Sequence, residues 1–307
     1  MKDLDLRGLN PAPVTPFTRD GEVDHKAIQR LGSWLGSVEG VRSLVVLGHA
    51  GEGTFLTVEE QAAVIESFIK AVDGKIPVIA GITLEGTKVA ALEAKRAVKA
   101  GAAAGLVYPS HGWLRFGYQK GAPQDRYRAI YEESGLPLIL FQYPDKTKAT
   151  YNLETQLDIA AQPGVFAMKN GVRNMSRWDS EIPVIRRERP DLQIYTCHDE
   201  HLIHTMWDSD GALVGYGGIA PEPLVELIKA TQAKDYPKAR AIHDRLLPVT
   251  RTVYHRGSHM EGTVALKHAL VARGILEHAT IRSPLVPFAP GAEAEIADAM
   301  RSAGLAD

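Results

Sequence analysis

The sequence predicts an α/β fold, a (β/α)₈ TIM barrel with a C-terminal helical extension. Eight short apolar or β-branched runs alternate with longer segments of helical periodicity, a rhythm typical of βαβ units around a parallel sheet. After residue 220 the strand signals stop and only helical patterns follow. The phosphate fingerprint that an open doubly wound sheet often carries after its first strand is absent. We therefore expect a barrel over residues 1–220 and a helical extension over 221–307 packed on it.

The predicted strands and helices divide the chain regularly. Strands are expected at 8–14, 42–47, 76–80, 104–108, 137–142, 164–168, 192–196 and 211–215. Helices are expected at 57–72, 86–100, 124–134, 152–161, 174–189, 199–208, 221–233, 235–256, 260–273 and 291–304. Thr57 with Glu60 three residues later matches a capping box at the start of the first of these helices. In a barrel, the carboxyl ends of the strands and the loops after them form one mouth, where chemistry is expected.

Composition limits the class of protein and its partners. Of the 307 residues, 45% are hydrophobic and 23% charged, with a net charge of −2, as in ordinary soluble globular proteins. Because no stretch concentrates Lys and Arg, we expect no nucleic-acid partner, and no apolar run is long enough for a membrane span. Cys197 is the only cysteine, which excludes an internal disulfide, and the first residues lack a signal-peptide pattern. These features favour a cytoplasmic protein with a small-molecule substrate.

Lys169 is the sharpest candidate for chemistry, because it directly follows the predicted buried strand Gly-Val-Phe-Ala-Met. Burial disfavours an ammonium group, so its pKa should fall and the free amine should attack carbonyl carbons. A lysine that leaves the strand and extends into water is the alternative. Leu213, near the end of the predicted eighth strand, is expected at the same mouth and is a candidate substrate contact.

Several segments in a fixed order carry a resemblance. They are Pro13-Val14-Thr15-Pro16-Phe17, Gly48-His49-Ala50-Gly51-Glu52 with Leu56-Thr57, Ile76-Pro77-Val78-Ile79-Ala80-Gly81, Tyr108-Pro109, Leu136-Pro137 with Tyr143-Pro144, and Met168-Lys169. Together they resemble the dihydrodipicolinate synthase and N-acetylneuraminate lyase family of class I aldolases. The resemblance implies a homotetramer, a dimer of dimers, that needs no metal or other cofactor. It also implies that Lys169 forms a Schiff base with pyruvate or a related 2-oxo acid, and the iminium then serves as an electron sink.

The loop at 48–53 departs from the family's Gly-Thr-Thr-Gly-Glu motif, whose hydroxyls and backbone amides hold the substrate carboxylate. Here both threonines are replaced. Ala50 and Gly51 can still offer backbone N–H groups to a carboxylate. His49 occupies the position of the threonine that belongs to the proton relay, and an imidazole can act as acid, base or carboxylate partner. A loop histidine that only bonds its neighbours is the alternative.

Two further departures concern aromatic residues of the family pattern. Phe141 stands at the position of the usual catalytic tyrosine and cannot relay a proton. Tyr143, two residues on, should share its side of the strand and can either supply the hydroxyl or only line the pocket. After the fourth strand, Ser110 and His111 take two aromatic positions. Ser110 is therefore a candidate substrate contact and His111 a second candidate for proton transfer, with an exposed loop histidine as the alternative.

Two other groups of side chains are candidates for binding an anionic group or a metal. Arg115, Lys146 and Arg173 lie on mouth-side loops and could contact a second anionic group of the substrate, with simple solvation as the alternative. His198, His201 and His204 would lie on roughly one face of a helix and could in principle bind a metal. Their order matches no familiar zinc motif, and a Schiff-base enzyme needs no metal, so no metal site is expected.

The leading hypothesis is a Schiff-base-forming lyase, an aldolase or dehydratase, that acts on a 2-oxo acid such as pyruvate. Its expected catalytic residues are Lys169, Tyr143, His49 and His111, and its expected substrate-binding residues are Ala50, Gly51, Leu213 and Ser110. A non-catalytic or regulatory barrel, which binds a 2-oxo acid but has lost the usual relay, is the alternative from another class. A metal-dependent barrel hydrolase is the third.

Overall fold

Eight parallel strands form the centre of the structure, a computed structural model that describes residues 4–307 apart from the side chain of His259. The strands are β1 (Gly8–Pro11), β2 (Leu44–Val46), β3 (Val78–Ile82), β4 (Ala104–Val107), β5 (Leu138–Gln142), β6 (Val165–Asn170), β7 (Gln193–Thr196) and β8 (Gly211–Val214). From β2 to β8 each strand pairs with the next in chain order, and β8 returns to pair with β1. A parallel bridge between Leu9 and Val41 completes the ring between β1 and β2. The predicted barrel is therefore confirmed.

The strands separate two hydrophobic clusters. Side chains such as Val45, Ile79, Ile139 and Leu213 fill the inside of the barrel, as barrel interiors require. A larger cluster lies between the outer faces of the strands and the helices. Successive residues of a strand point to opposite faces, so β2 to β8 each contribute to both clusters.

The helices are α1 (His25–Ser37), α2 (Val58–Val72), α3 (Thr87–Lys99), α4 (His111–Phe116), α5 (Ala122–Ser134), α6 (Leu153–Ala160), α7 (Met175–Glu188), α8 (Leu202–Thr205), α9 (Pro221–Gln232), α10 (Tyr236–Tyr254), α11 (His259–Ala272) and α12 (Ala292–Ser302). The capping box expected at Thr57 and Glu60 is present. The prediction omitted α1, which Asp24 caps, and the short α4. The single helix predicted at 199–208 is wrong, because 3₁₀ turns flank a one-turn helix there.

The C-terminal helices pack on the barrel and on one another. Helix α9 contacts β1 and α10, and α10, α11 and α12 contact each other. The division after residue 220 stays a proposal, and the contact with β1 favours counting α9 as the eighth barrel helix. Among residues 4–307, no helix combines the length and apolar character that crossing a membrane would require.

Candidate active site

A cavity of about 380 Å³ opens where the barrel strands end. Its wall includes residues that end or follow β2, β4, β5, β6, β7 and β8, as expected for the mouth of a barrel. Residues of α10 and α11 complete it. The lining side chains and backbones belong to Ala12, His49, Ala50, Tyr108, Leu114, Phe141, Tyr143, Pro144, Thr147, Lys169, Arg173, Cys197, Asp199, Gly215, Tyr254, Gly262, Thr263 and Leu266.

Lys169 lies at the floor of this cavity. Strand β6 extends to Asn170, so Lys169 is part of the strand rather than the first residue after it. Ala167 belongs to the inner cluster and Met168 to the outer one, so the alternation of the strand turns Lys169 inward. Its side chain is 6% exposed, and its Nζ lies 4.2 Å from the centre of the Phe141 ring. Phe141 is its register partner on β5.

The charge state of Lys169 differs from the expectation. Burial lowers the pKa of its ammonium, but the neighbouring groups of Cys197, Tyr108 and Asp199 raise it, and the net pKa lies above the ordinary value. The lowered pKa expected from burial alone is therefore wrong for this site. The direction of this shift favours the protonated ammonium.

His49 and Tyr143 meet above the lysine. The Tyr143 hydroxyl lies 3.2 Å from His49 Nε2, and the Tyr143 ring packs against Phe141 with centroids 4.7 Å apart. Burial raises the pKa of Tyr143 well above its ordinary value, so the hydroxyl keeps its proton at neutral pH. The structure thus brings together three of the predicted catalytic residues, although they are far apart in the sequence.

Tyr108 is a polar residue of this wall that the sequence reasoning did not single out. It follows β4 and is 2% exposed. Its hydroxyl accepts a hydrogen bond from the His49 backbone N–H at 3.3 Å, and its ring packs edge-on against Phe141 at 5.1 Å. Tyr108, Phe141 and Tyr143 form an aromatic enclosure around the amine of Lys169. Only its position after a strand end could have identified Tyr108 from the sequence.

Left-handed residues and a hydrogen bond fix the backbone conformation of the loop after β2. Leu47 and Glu52 both adopt left-handed conformations, and the Gly51 carbonyl accepts a 2.6 Å hydrogen bond from the Thr15 hydroxyl. Ala50 lines the cavity, whereas Gly51 is buried behind it. The Glu52 carboxylate points away from the mouth and forms a 2.5 Å ion pair with Lys267 of α11.

Besides Gly51, three predicted site residues lie outside the cavity wall. The Ser110 hydroxyl and the His111 backbone N–H donate to Glu85 at 2.9 and 2.7 Å. The His111 side chain is exposed and its Nδ1 lies 3.7 Å from Glu85. Leu213 is fully buried in the inner cluster of the barrel, below the mouth. Their predicted roles stay predictions.

One part of the cavity lining, here called the far wall, contains Arg173, Asp199 and Tyr254. Its charged groups are already paired. Arg173 donates to Glu200 at 2.7 and 3.3 Å, and its guanidinium lies 3.9 Å from Asp199. Asp199 also accepts the backbone N–H of Tyr216 at 3.0 Å, and burial together with the charge of Asp199 raises the pKa of the Tyr254 hydroxyl. Asp199 was expected at the mouth without an assigned role, whereas Tyr254 and the α11 residues were missed as site residues, because their positions relative to Lys169 depend on the tertiary fold.

His198, one of the histidines considered as a metal ligand, has both ring nitrogens in hydrogen bonds with protein groups. His198 is fully buried, with Nδ1 2.9 Å from the Thr196 hydroxyl and Nε2 accepting the Arg173 backbone N–H at 3.0 Å. Burial and the charge of Arg173 lower its pKa to about 3, so it is neutral and positions the backbone of Arg173. Within the described part of the chain, no three His, Cys, Asp or Glu side chains are grouped so that they could hold a metal ion.

Comparison with known proteins agrees with this arrangement. A profile of the dihydrodipicolinate synthetase family matches residues 5–303. The chain belongs to this family. A 4-hydroxy-tetrahydrodipicolinate synthase of Neisseria meningitidis serogroup C is 30% identical over 305 residues, which cover 97% of this chain and 99% of the relative.

Solved structures of family members superimpose over nearly the whole chain. The dihydrodipicolinate synthase of Thermotoga maritima has a TM-score of 0.88 at 26% identity, covering 98% of this chain and 99% of its own. The chloride-inhibited enzyme of Acinetobacter baumannii, solved with pyruvate, has a TM-score of 0.86 at 26% identity, covering 98% and 100%. The predicted family, the barrel and the enzyme class, a Schiff-base-forming lyase, are thus confirmed.

Proposed function

We propose that Lys169 condenses with a 2-oxo acid such as pyruvate, and that the enzyme makes or breaks a bond at the carbon next to the resulting iminium. The observation that carries this proposal is the placement of Lys169. It is the only lysine in the cavity wall among the described residues, it is almost completely buried, and its Nζ faces an aromatic ring. An enclosed amine of this kind is well suited to form an iminium shielded from bulk water.

The steps at Lys169 follow from its surroundings. The ammonium first loses a proton, and the free Nζ attacks the keto carbon of the 2-oxo acid. The carbinolamine then loses water and becomes an iminium, which draws electrons from the adjacent bond and gives an enamine. Phe141 cannot exchange protons, so it serves as the apolar surface against which the amine lies.

We assign the proton transfers to Tyr143 and His49. Tyr143 keeps its proton at neutral pH and lies 3.2 Å from His49 Nε2, so the pair can pass a proton between the substrate and the imidazole. Tyr108, which accepts the His49 backbone N–H, holds this loop against the aromatic enclosure. Tyr143, two residues further along, thereby takes the place of the family's catalytic tyrosine, which this chain replaces with Phe141.

The carboxylate of the 2-oxo acid is assigned to the loop after β2. Ala50 lines the cavity and Gly51 lies directly behind it, and backbone N–H groups in such turns form anion-binding concavities. Ser110 and His111 are proposed to act from the rim, where Glu85 holds them. Leu213 is proposed to support the floor beneath the substrate.

The wider setting is proposed from the family. We propose a homotetramer, a dimer of dimers, that is cytoplasmic and works without a metal or other cofactor. Sedimentation equilibrium at several protein concentrations tests the assembly, and a monomer across that range would refute it. Unchanged activity after dialysis against a chelator is expected, and loss that zinc or magnesium restores would refute metal-free catalysis.

Borohydride trapping tests the central step. Incubating the protein with pyruvate and sodium borohydride should fix one reduced pyruvate on Lys169, located by peptide mass spectrometry. Lys169→Arg keeps the charge but should give no adduct, whereas Lys146→Arg, at an exposed mouth-side lysine, should be labelled like the parent. The absence of an adduct with pyruvate and with longer 2-oxo acids would refute the proposal. Adduct formation without turnover would favour a 2-oxo-acid-binding barrel.

A further inference from the structure

The cavity has a second part beyond the 2-oxo acid, and its walls carry information about the rest of the substrate. We propose that the fragment joined to the 2-oxo acid is an uncharged, mainly apolar aldehyde unit, which the enzyme releases from pyruvate or adds to it. This inference rests on the proposed Schiff base at Lys169 and specifies the substrate class of that site.

The cavity is too large for a three-carbon 2-oxo acid alone. Its volume of about 380 Å³ falls in the range of pockets that enclose whole drug-sized ligands, roughly 300–1,000 Å³. The floor at Lys169 and the loop at Ala50 take the 2-oxo acid in the proposed function. The remaining space lies toward Leu114, Leu266 and Gly215, which line the same cavity.

The charges of the far wall disfavour an anionic fragment. Besides Lys169, Arg173 is the only Lys or Arg in the wall among residues that the structure describes. It is held by Glu200 at 2.7 Å and lies 3.9 Å from Asp199. Two carboxylates against one guanidinium leave a net negative charge, so a second carboxylate or a phosphate on the substrate would be repelled. Lys146, the other mouth-side candidate, is exposed outside the wall.

The polar groups of the same wall are also occupied by one another. Asp199 accepts the backbone N–H of Tyr216, as described above, and lies beside Arg173 at 3.9 Å. The Thr147 hydroxyl donates to the Pro144 carbonyl at 2.9 Å. A chain of several hydroxyls would therefore have to displace existing hydrogen bonds to gain new ones, which gives little net affinity. A polyhydroxylated fragment is disfavoured for this reason.

The cavity wall also presents apolar side chains to the second fragment. Leu114 packs on the inner cluster at the rim, and Phe141 and Pro144 line the side below it. On the opposite side, Leu266 of α11 meets Ala50 and Tyr254 around Gly215. A Cβ built on Gly215 would lie 3.3 Å from Leu266 Cδ1, 3.2 Å from the Tyr254 hydroxyl and 3.6 Å from Ala50 Cβ. The absence of a side chain at Gly215 therefore lets Leu266, Tyr254 and Ala50 approach one another closely at the point where the second fragment is expected, and any added atom there would crowd them.

The reaction balances as a reversible aldol cleavage. A substrate R–CH(OH)–CH₂–CO–COO⁻ forms an iminium with Lys169 and releases water. The Tyr143–His49 pair accepts the hydroxyl proton, the carbon–carbon bond breaks, and its electron pair moves to the iminium to give an enamine and R–CHO. The pair returns the proton to the enamine CH₂, and water hydrolyses the iminium to pyruvate and the free amine. The sum is substrate to R–CHO plus pyruvate, with R uncharged and apolar.

An aldehyde panel tests the proposal in the synthetic direction. With pyruvate saturating, benzaldehyde and isobutyraldehyde represent the proposed class, glyoxylate and succinic semialdehyde carry a carboxylate, and glyceraldehyde is neutral but hydroxylated. We expect kcat/KM for the best apolar aldehyde to exceed that for every other aldehyde by about tenfold or more, the discrimination an apolar pocket can give. A preference for a charged or hydroxylated aldehyde, or no product from either apolar one, would overturn the inference.

Two variants test the physical reasons separately. Glu200→Gln removes one negative charge beside Arg173, so activity with succinic semialdehyde should rise relative to benzaldehyde. Gly215→Ala adds the Cβ described above, and should lower kcat/KM for benzaldehyde by about tenfold while pyruvate trapping on Lys169 stays at the parent level. Gly86→Ala is the matched control, because its Cβ would meet only Val89 Cγ2 at 3.7 Å. Equal aldehyde selectivity in the parent and both variants would overturn the argument.

The trapping assay keeps the two proposals distinguishable. A pyruvate adduct on Lys169 combined with the wrong aldehyde preference would refute the apolar fragment and leave the Schiff base standing. No adduct with any 2-oxo acid would refute the Schiff base, and the inference with it.

Discussion

The ion pair between Glu52 and Lys267 links the substrate loop to the C-terminal helices, and removing its lysine should destabilise the protein strongly. Both side chains are at most 1% exposed, and their charged atoms lie 2.5 Å apart. Lys267 also donates to the Thr280 carbonyl at 2.8 Å and lies 4.2 Å from the Phe17 ring centre. Burial lowers the pKa of Lys267 to about 8 and raises that of Glu52, because it disfavours both charged forms. The attraction between the two charges acts in the opposite direction and favours the ionised form of each group.

The size of the effect follows from what Lys267→Met leaves behind. The Glu52 carboxylate would stay buried, with the Arg282 backbone N–H at 3.5 Å as its remaining polar contact among the described residues. Removing one partner of such a buried pair costs about 3–5 kcal/mol. With a urea m-value of about 3 kcal/mol per M, that loss moves the unfolding midpoint down by about 1–2 M. The loop also loses its anchor, so KM for the 2-oxo acid should rise more than kcat falls.

Urea unfolding followed by tryptophan fluorescence, at one protein concentration for all variants, measures this effect. Lys229→Met, at an exposed helical lysine, is the control and should change the free energy of unfolding by no more than about 0.5 kcal/mol. The double variant Glu52→Gln with Lys267→Met removes both charges and should recover part of the loss. A change below about 1 kcal/mol for Lys267→Met, or a double variant no more stable than the single one, would refute the reasoning.

Two other predictions concern the relay and acid stability. Tyr143→Phe removes the hydroxyl that meets His49, and should lower kcat by about 10²–10⁴-fold while borohydride still traps pyruvate; less than a tenfold loss in steady-state assays would exclude Tyr143 from proton transfer. The hydrogen bond from Arg282 lowers the pKa of Glu60 from 4.5 to about 2. Because the folded-state pKa is the lower one, this stabilisation is present above pH 4.5 and is lost as the pH falls toward 2. In urea titrations between pH 4.5 and 2, the free energy of unfolding of Glu60→Gln should therefore fall less steeply with pH than that of the parent. An equal pH dependence in the two proteins would contradict the assignment.

Much of the fold could be predicted because its signals are local. Runs of apolar residues located all eight strands to within a few residues, and the capping box at Thr57 located the start of α2. Lys169 could be found because a buried strand leads directly into it. Helix α1 was missed, and the broken segment at 199–208 was predicted as one helix, because 3₁₀ turns there depend on contacts with distant residues such as Tyr216.

The sequence by itself determined the barrel and the family and pointed to Lys169 as the amine proposed to react, because strand periodicity and motif order are properties of the chain. Only the tertiary structure decided what surrounds the amine. Lys169 has a raised pKa because Tyr108, after β4, and Cys197 and Asp199, after β7, converge on it. Tyr143 meets His49, and α11 reaches the loop after β2, only because the ring of strands closes. Charge and shape in the mouth arise from residues far apart in the chain, and their distances are fixed only when the barrel and its C-terminal helices pack together.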